Sequence, residues 1–173
     1  MSDRGDGSSA REVASYLVAL RPILSSATEA RRTWVKRIGV LMEDARKGNA
    51  AQVTKSAGSI GHDTAGTFRS GRARLEQMKP PRTCSDCHRS LTLWLEKLVK
   101  ACDLLIEVGR TGNLARIRET QELLAESRAH AHQFNAEYAR LVGDLRQRVA
   151  AAARQPQPGR ASRPAPRSAP ANG

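Results

Sequence analysis

Apolar residues recur mostly in steps of three and four along this chain, and that spacing decides what it can fold into. The first run is Val13, Tyr16, Leu17, Leu20, Ile23, Leu24, Ala27, Trp34, Ile38, Leu41, Met42 and Ala45. Side chains spaced this way share one face of an α-helix, so the run predicts a long amphipathic helix. Ser9, just before it, suits an N-cap, and Lys47-Gly48-Asn49 supplies a basic end and a stop. Pro22 has no backbone N–H and its ring crowds the preceding turn, so a kink or division is expected near Leu20.

A second, weaker run passes through Val53, Ala57, Ile60, Phe68, Leu75 and Met78. It contains Gly58, Gly61, Gly66 and Gly71, and a glycine in a helix interior costs about 1 kcal/mol against alanine. The expectation is a locally mobile helix that its neighbours hold in place; close helix contact at the glycines is the alternative. Pro80-Pro81 ends the run in an extended connection. Thr83 is then placed to cap the next helix, with Asp86 three residues on as in a capping box.

The third stripe is Leu91, Trp94, Leu95, Leu98, Val99, Cys102, Leu105 and Ile106, stopped at Gly109 and turned by "RTGN". The fourth starts at Leu114 and continues through Ile117, Leu124, Ala131, Phe134, Tyr138, Leu141, Leu145 and Val149. Four one-sided helices joined by short connections predict an all-α protein: an up-down-up-down four-helix bundle of two αα-hairpins over residues 10–153. Aromatics are only 3% of the chain, so Leu, Val, Ile and Ala must fill the core. Residues 1–9 and 154–173 read as a disordered lead and a disordered Pro/Arg/Ser/Ala tail. "KGNAAQV…FRSGRARL" and "TGNLARI…FNAEYARL" hint at an internal duplication, with a two-residue offset between the landmarks.

The net charge of +12 is unevenly placed. Residues 10–82 carry fourteen positive and six negative side chains, residues 84–153 ten and nine, and the tail four and none. A basic front half and tail favour acidic partners. The densest cluster outside the tail is Arg69, Arg72, Arg74, Lys79 and Arg82, a possible nucleic-acid surface. Interleaved aromatics and a helix-turn-helix are missing from it, so nucleic acid is not the favoured partner. No apolar run is long enough for a membrane span, and the polar opening "MSDRGDGSS" lacks the pattern of a secretory signal. The expectation is a cytoplasmic protein with reduced cysteines.

One short segment carries chemistry: "CSDCH", Cys84 to His88. The order Cys-x-x-Cys-His is the attachment signature of a c-type haem, with Cys84 and Cys87 bonding the vinyl groups and His88 the iron. The likeness to c-type cytochromes covers these five residues alone. For zinc, a tetrahedral set needs four ligands. Pairing the third and fourth helices about residue 111 brings His132 within about one turn of His88, giving Cys84, Cys87, His88 and His132. His62 and Cys102 fall about 18 Å and about 22 Å along the axis and drop out. As a thiol switch, Cys84 and Cys87 at a helix N-terminus would have thiolate favoured by the dipole. Against all three stands plain packing: stepping back from Leu91 along the stripe reaches Cys87 and Cys84, and cysteine packs as a small buried hydrophobe.

His130 and His132, two apart on one helix, point to different sides. No phosphate loop, Ser-His-Asp set, paired carboxylates or His-x-x-Glu pair occurs. The expected function is therefore a non-enzymatic helical-bundle module that binds a protein partner or self-associates, without a cofactor. Haem or zinc at Cys84, Cys87 and His88 is the alternative.

Overall fold

The structure, a computed structural model, describes residues 9–154. The chain is all-α, with four helices: α1 (Ala10–Arg46), α2 (Ala50–Glu76), α3 (Ser85–Thr111) and α4 (Arg116–Arg154). They run up-down-up-down. Trp34 meets Phe68 and Arg37 meets Asp63 across α1–α2, Gly58 meets Gly109 across α2–α3, and Glu107 meets Arg116 across α3–α4. The disordered lead and tail expected from composition lie outside the described residues, except Ser9 and Arg154. Arg154, assigned to the tail, is the last residue of α4.

Each predicted stripe is the buried face of its helix, except that Val149, at the end of the fourth, is 59% exposed. Leu20, Trp34, Leu41, Phe68, Leu75, Leu91, Leu95, Leu98, Leu105 and Val108 are almost wholly buried. Trp34 and Phe68 anchor the first hairpin edge-to-face, with ring centroids 5.7 Å apart, in the geometry that places a ring's positive edge on its neighbour's negative face.

Caps follow local chemistry in some places and not in others. Ser9 accepts from the Glu12 N–H at 3.1 Å while the Glu12 carboxylate accepts from the Ser9 N–H at 2.8 Å, a full capping box. Asn49 caps α2 by accepting from the Gln52 N–H at 3.1 Å. α3 passes the expected stop at Gly109, and Gly112 closes it instead, in the left-handed conformation at φ 71° and donating to Val108 O at 2.9 Å. Thr83, however, does not cap α3. A 3-10 turn, Arg82–Cys84, precedes the helix, with the Cys84 N–H donating to Pro81 O at 2.8 Å. That extra turn moves the cap position to Cys84, whose side chain makes no capping bond.

Both helices with expected weak points are continuous. Pro22 does not divide α1, which runs unbroken from Ala10 to Arg46. Pro22 is exposed, and so is Val18, whose carbonyl loses its helical donor; water can satisfy it. In α2, glycines serve close contact. A Cβ on Gly58 would lie 3.2 Å from the Gly109 Cα, and one on Gly61 2.7 Å from the Cys102 carbonyl oxygen. Gly66 is different: nothing lies within 4 Å of a Cβ built there.

Helix lengths shape the base of the molecule. α1 and α4 have 37 and 39 residues, against 27 each for α2 and α3. The surplus, about 15 Å or more at 1.5 Å per residue, carries the start of α1 and the end of α4 past the other two. There Val13 of α1 and Leu141, Leu145 and Arg148 of α4 line a common crevice. The connection through Pro80-Pro81 folds under the overhang.

Candidate functional site

The Cys-x-x-Cys-His motif sits where this overhang begins. Cys84 and Cys87 are 0% and 1% exposed, inside the core cluster. His88 is half-buried, and its Nδ1 lies 3.0 Å from the Tyr16 hydroxyl, which ties the first turn of α3 to α1. The nearest charged groups from α4 are Glu137 and Arg140.

Burial sets the acidities here. The Cys84 thiol is pushed up by burial, and the Cys87 thiol up to about 12 by burial, then by Cys84 and Glu137. The expected dipole-assisted thiolate is thus reversed: loss of solvation outweighs the helix end. Burial also raises the Tyr16 phenol and lowers His88, so both favour their neutral forms. Cys102, higher in α3, is pushed up to about 12 by burial and then by Asp103.

The expected ligand set does not assemble. Among the described residues, no group of three or more His, Cys, Asp and Glu side chains is arranged to hold a metal ion. The axial estimate still holds in register, since Glu107–Arg116 and Lys97–Glu126 pair at the spacing it assumes. His88 meets Tyr16 of α1, whereas His132 lies in a groove with Leu24, Thr28 and Arg31, two turns or more further along that helix. A cavity of about 670 Å³ opens next to the motif, lined by Arg11, Glu12, Tyr16, Met78, Lys79 and Arg82 among others. Tyr16 lines it, whereas Cys84, Cys87 and His88 do not.

The basic cluster also divides. Arg69 pairs with Asp103 across α2–α3, and Arg72 pairs with Glu76 at 2.9 Å. Arg74 is exposed. Lys79 and Arg82 belong to the base cavity with Arg11. Two of the five charges are thus spent on acidic neighbours, and two others stand around a different opening.

A feature that the sequence did not single out lies on the opposite seam. Of the neighbouring helix pairs, α1 and α4 approach each other least closely. Between them runs a groove of about 310 Å³ with Leu24, Trp94, Ala131 and Phe134 along its apolar part and Arg31, Arg128 and His132 at its sides. Trp94 and Phe134 are 6% and 7% exposed, so the floor is recessed. The apolar runs skip from Ala27 to Trp34 in α1 and from Leu124 to Ala131 in α4. The residues at the missing steps are Arg31 and Arg128, and both line this groove. That pair of gaps was the available signal.

Neither arginine has an acidic partner among the described residues. Arg31 Nε is buried with no hydrogen-bond acceptor, and burial together with the Arg128 charge disfavours its cation. The Trp94 indole N–H is also buried and unpaired. Trp34 in the closed core shares that property, so the indole alone does not point to a ligand. Arg31 and Arg128 share the groove with no acidic side chain between them.

Compared with known families, curated proteins and solved structures, the chain matches none of them. The fold class, a four-helix all-α protein, therefore stands on the structure itself.

Proposed function

We propose that this chain is a non-enzymatic interaction module that docks a protein partner in the groove between α1 and α4. The observation that carries this reading is the recessed apolar floor formed by Leu24, Trp94 and Phe134 where the bundle is least closed. Elsewhere the large exposed apolar residues, Val18, Val40 and Val149, are scattered singly and form no continuous patch. Protein partners commonly lay a helix into such a groove, with side chains at helical spacing as anchors. Three free cysteines, all buried, support a reducing compartment such as the cytoplasm. No described helix is long and apolar enough to cross a membrane.

The test is substitution in the floor. Ala131→Trp fills the groove from a position that is only partly buried. It should block partner binding while leaving the helical circular dichroism spectrum intact. Unchanged binding by the filled variant would remove the groove from the reading.

The alternative is a small molecule or cofactor held at the base, beside Cys84, Cys87 and His88. Its one specific support is the cavity of about 670 Å³ next to the Tyr16–His88 pair, within the size range of ligand pockets. Absorption near the Soret region and elemental analysis of the purified protein decide it.

A further inference from the structure

We infer that the occupant of the α1–α4 groove is an acidic amphipathic segment of another protein, an apolar side chain resting on Trp94 and Phe134 while carboxylates meet Arg31 and Arg128. The inference rests on the groove being a protein-docking surface and adds the chemistry of the partner.

The argument is one of complementarity. An arginine on the apolar edge of a helix normally finds a carboxylate, as Arg69 does in Asp103 and Arg37 does in Asp63 at 2.8 Å. Arg31 and Arg128 have none, and they stand on the same groove. The arrangement costs the free protein twice, through like-charge repulsion and through a buried Nε–H without an acceptor. A carboxylate between the two guanidiniums would relieve both, and guanidinium–carboxylate bonds are among the stronger hydrogen bonds. Glu126, two residues before Arg128 in the chain, is engaged by Lys97.

The other occupants fit less well. A second copy of a chain with net charge +12 meets electrostatic repulsion at this surface. Single-stranded nucleic acid would add base stacking to phosphate contacts, but Trp94 and Phe134 are too recessed to stack on. A floor of about 310 Å³ matches one or two apolar side chains flanked by acids.

The experiment uses the full chain carrying Trp34→Phe, so that indole emission reports Trp94. The probes are a helical peptide with leucines at helical spacing and glutamates beside them, its Gln and Lys counterparts, and oligothymidine. The Leu/Glu peptide is expected to shift Trp94 emission and bind tightest, with affinity falling as salt rises. Arg31→Gln and Arg128→Gln should each weaken it about tenfold, the loss of a charge-assisted bond. The melting temperature of the free variants should be unchanged or higher, because a repulsion is gone. Arg128 is exposed, so Arg128→Gln serves even if Arg31→Gln folds poorly.

Equal binding of the Gln or Lys peptide would overturn the acidic assignment and leave the docking groove standing. So would a dimer in sedimentation that excludes the peptide. Tighter binding of oligothymidine, or no Trp94 response to any peptide, would overturn both.

Discussion

Gly58 of α2 and Gly109 of α3 face each other backbone to backbone: a Cβ on Gly109 would stand 2.5 Å from the Gly58 Cα and 2.9 Å from its nitrogen. No side chain fits between them. The two helices cross at this point because both residues lack one, and the approach sets the spacing of the central layer.

Gly109→Ala should therefore destabilise the protein despite its better helix propensity. Overpacking against backbone costs about 1–3 kcal/mol, against a propensity gain of about 1 kcal/mol. Gly66→Ala is the control: its Cβ meets nothing within 4 Å, so it should stabilise by up to about 1 kcal/mol. Urea melts followed by circular dichroism separate them, and opposite signs are expected.

Phe68 is fully buried against Trp34. Phe68→Ala should cost about 3–5 kcal/mol, by lost transfer energy and the cavity left behind. Val40, 63% exposed, should tolerate alanine within about 0.5 kcal/mol. Similar losses at both positions would place the core elsewhere.

Tyr16→Phe removes the hydroxyl that meets His88 Nδ1 at 3.0 Å. Loss of this half-buried hydrogen bond should cost about 1 kcal/mol. Burial holds the His88 pKa below its ordinary value of 6.5. Below that pH the unfolded chain binds a proton that the folded chain resists, so stability should fall as pH drops through 6.5 toward the lower folded value. His88→Gln should flatten this part of the stability–pH curve, read from melts between neutral and mildly acid pH.

Cys84, Cys87 and Cys102 should react slowly with a thiol reagent at pH 8 in the folded protein and rapidly in denaturant. All three are buried, and Cys87 and Cys102 are pushed up to about 12, so little thiolate forms. Fast labelling of Cys84 and Cys87 in the folded state would revive the thiol switch. A chelator should leave the melting temperature unchanged, since no three His, Cys, Asp or Glu side chains among the described residues are arranged to hold a metal ion.

Much of the molecule was legible residue by residue. The four stripes, the stop at Lys47-Gly48-Asn49, the Ser9 cap and the burial of Cys84 and Cys87 follow from spacing and local chemistry. The misses have physical causes. A division at Pro22 would ignore which side of the helix the proline occupies: its exposed side leaves the orphaned carbonyl to water, and α1 runs on. Thr83 lost the cap because a 3-10 turn shifted the helix start by one residue. His132 packs beside Leu24, Thr28 and Arg31 of α1, away from the Tyr16 that His88 meets, so pairing α3 with α4 alone could not place the two together.

Sequence alone determined that four helices form and which face of each is apolar, because a 3.6-residue period acts within a few turns of one chain segment. Only the tertiary structure decided which faces meet, and how tightly. Gly58 and Gly109 lie far apart in the chain, and their contact exists only once α2 and α3 are packed. The same holds for Arg31 and Arg128, each an ordinary basic residue on its own helix. Only the packed bundle makes them an unpaired couple, because charge and steric complementarity depend on distances that local periodicity does not encode.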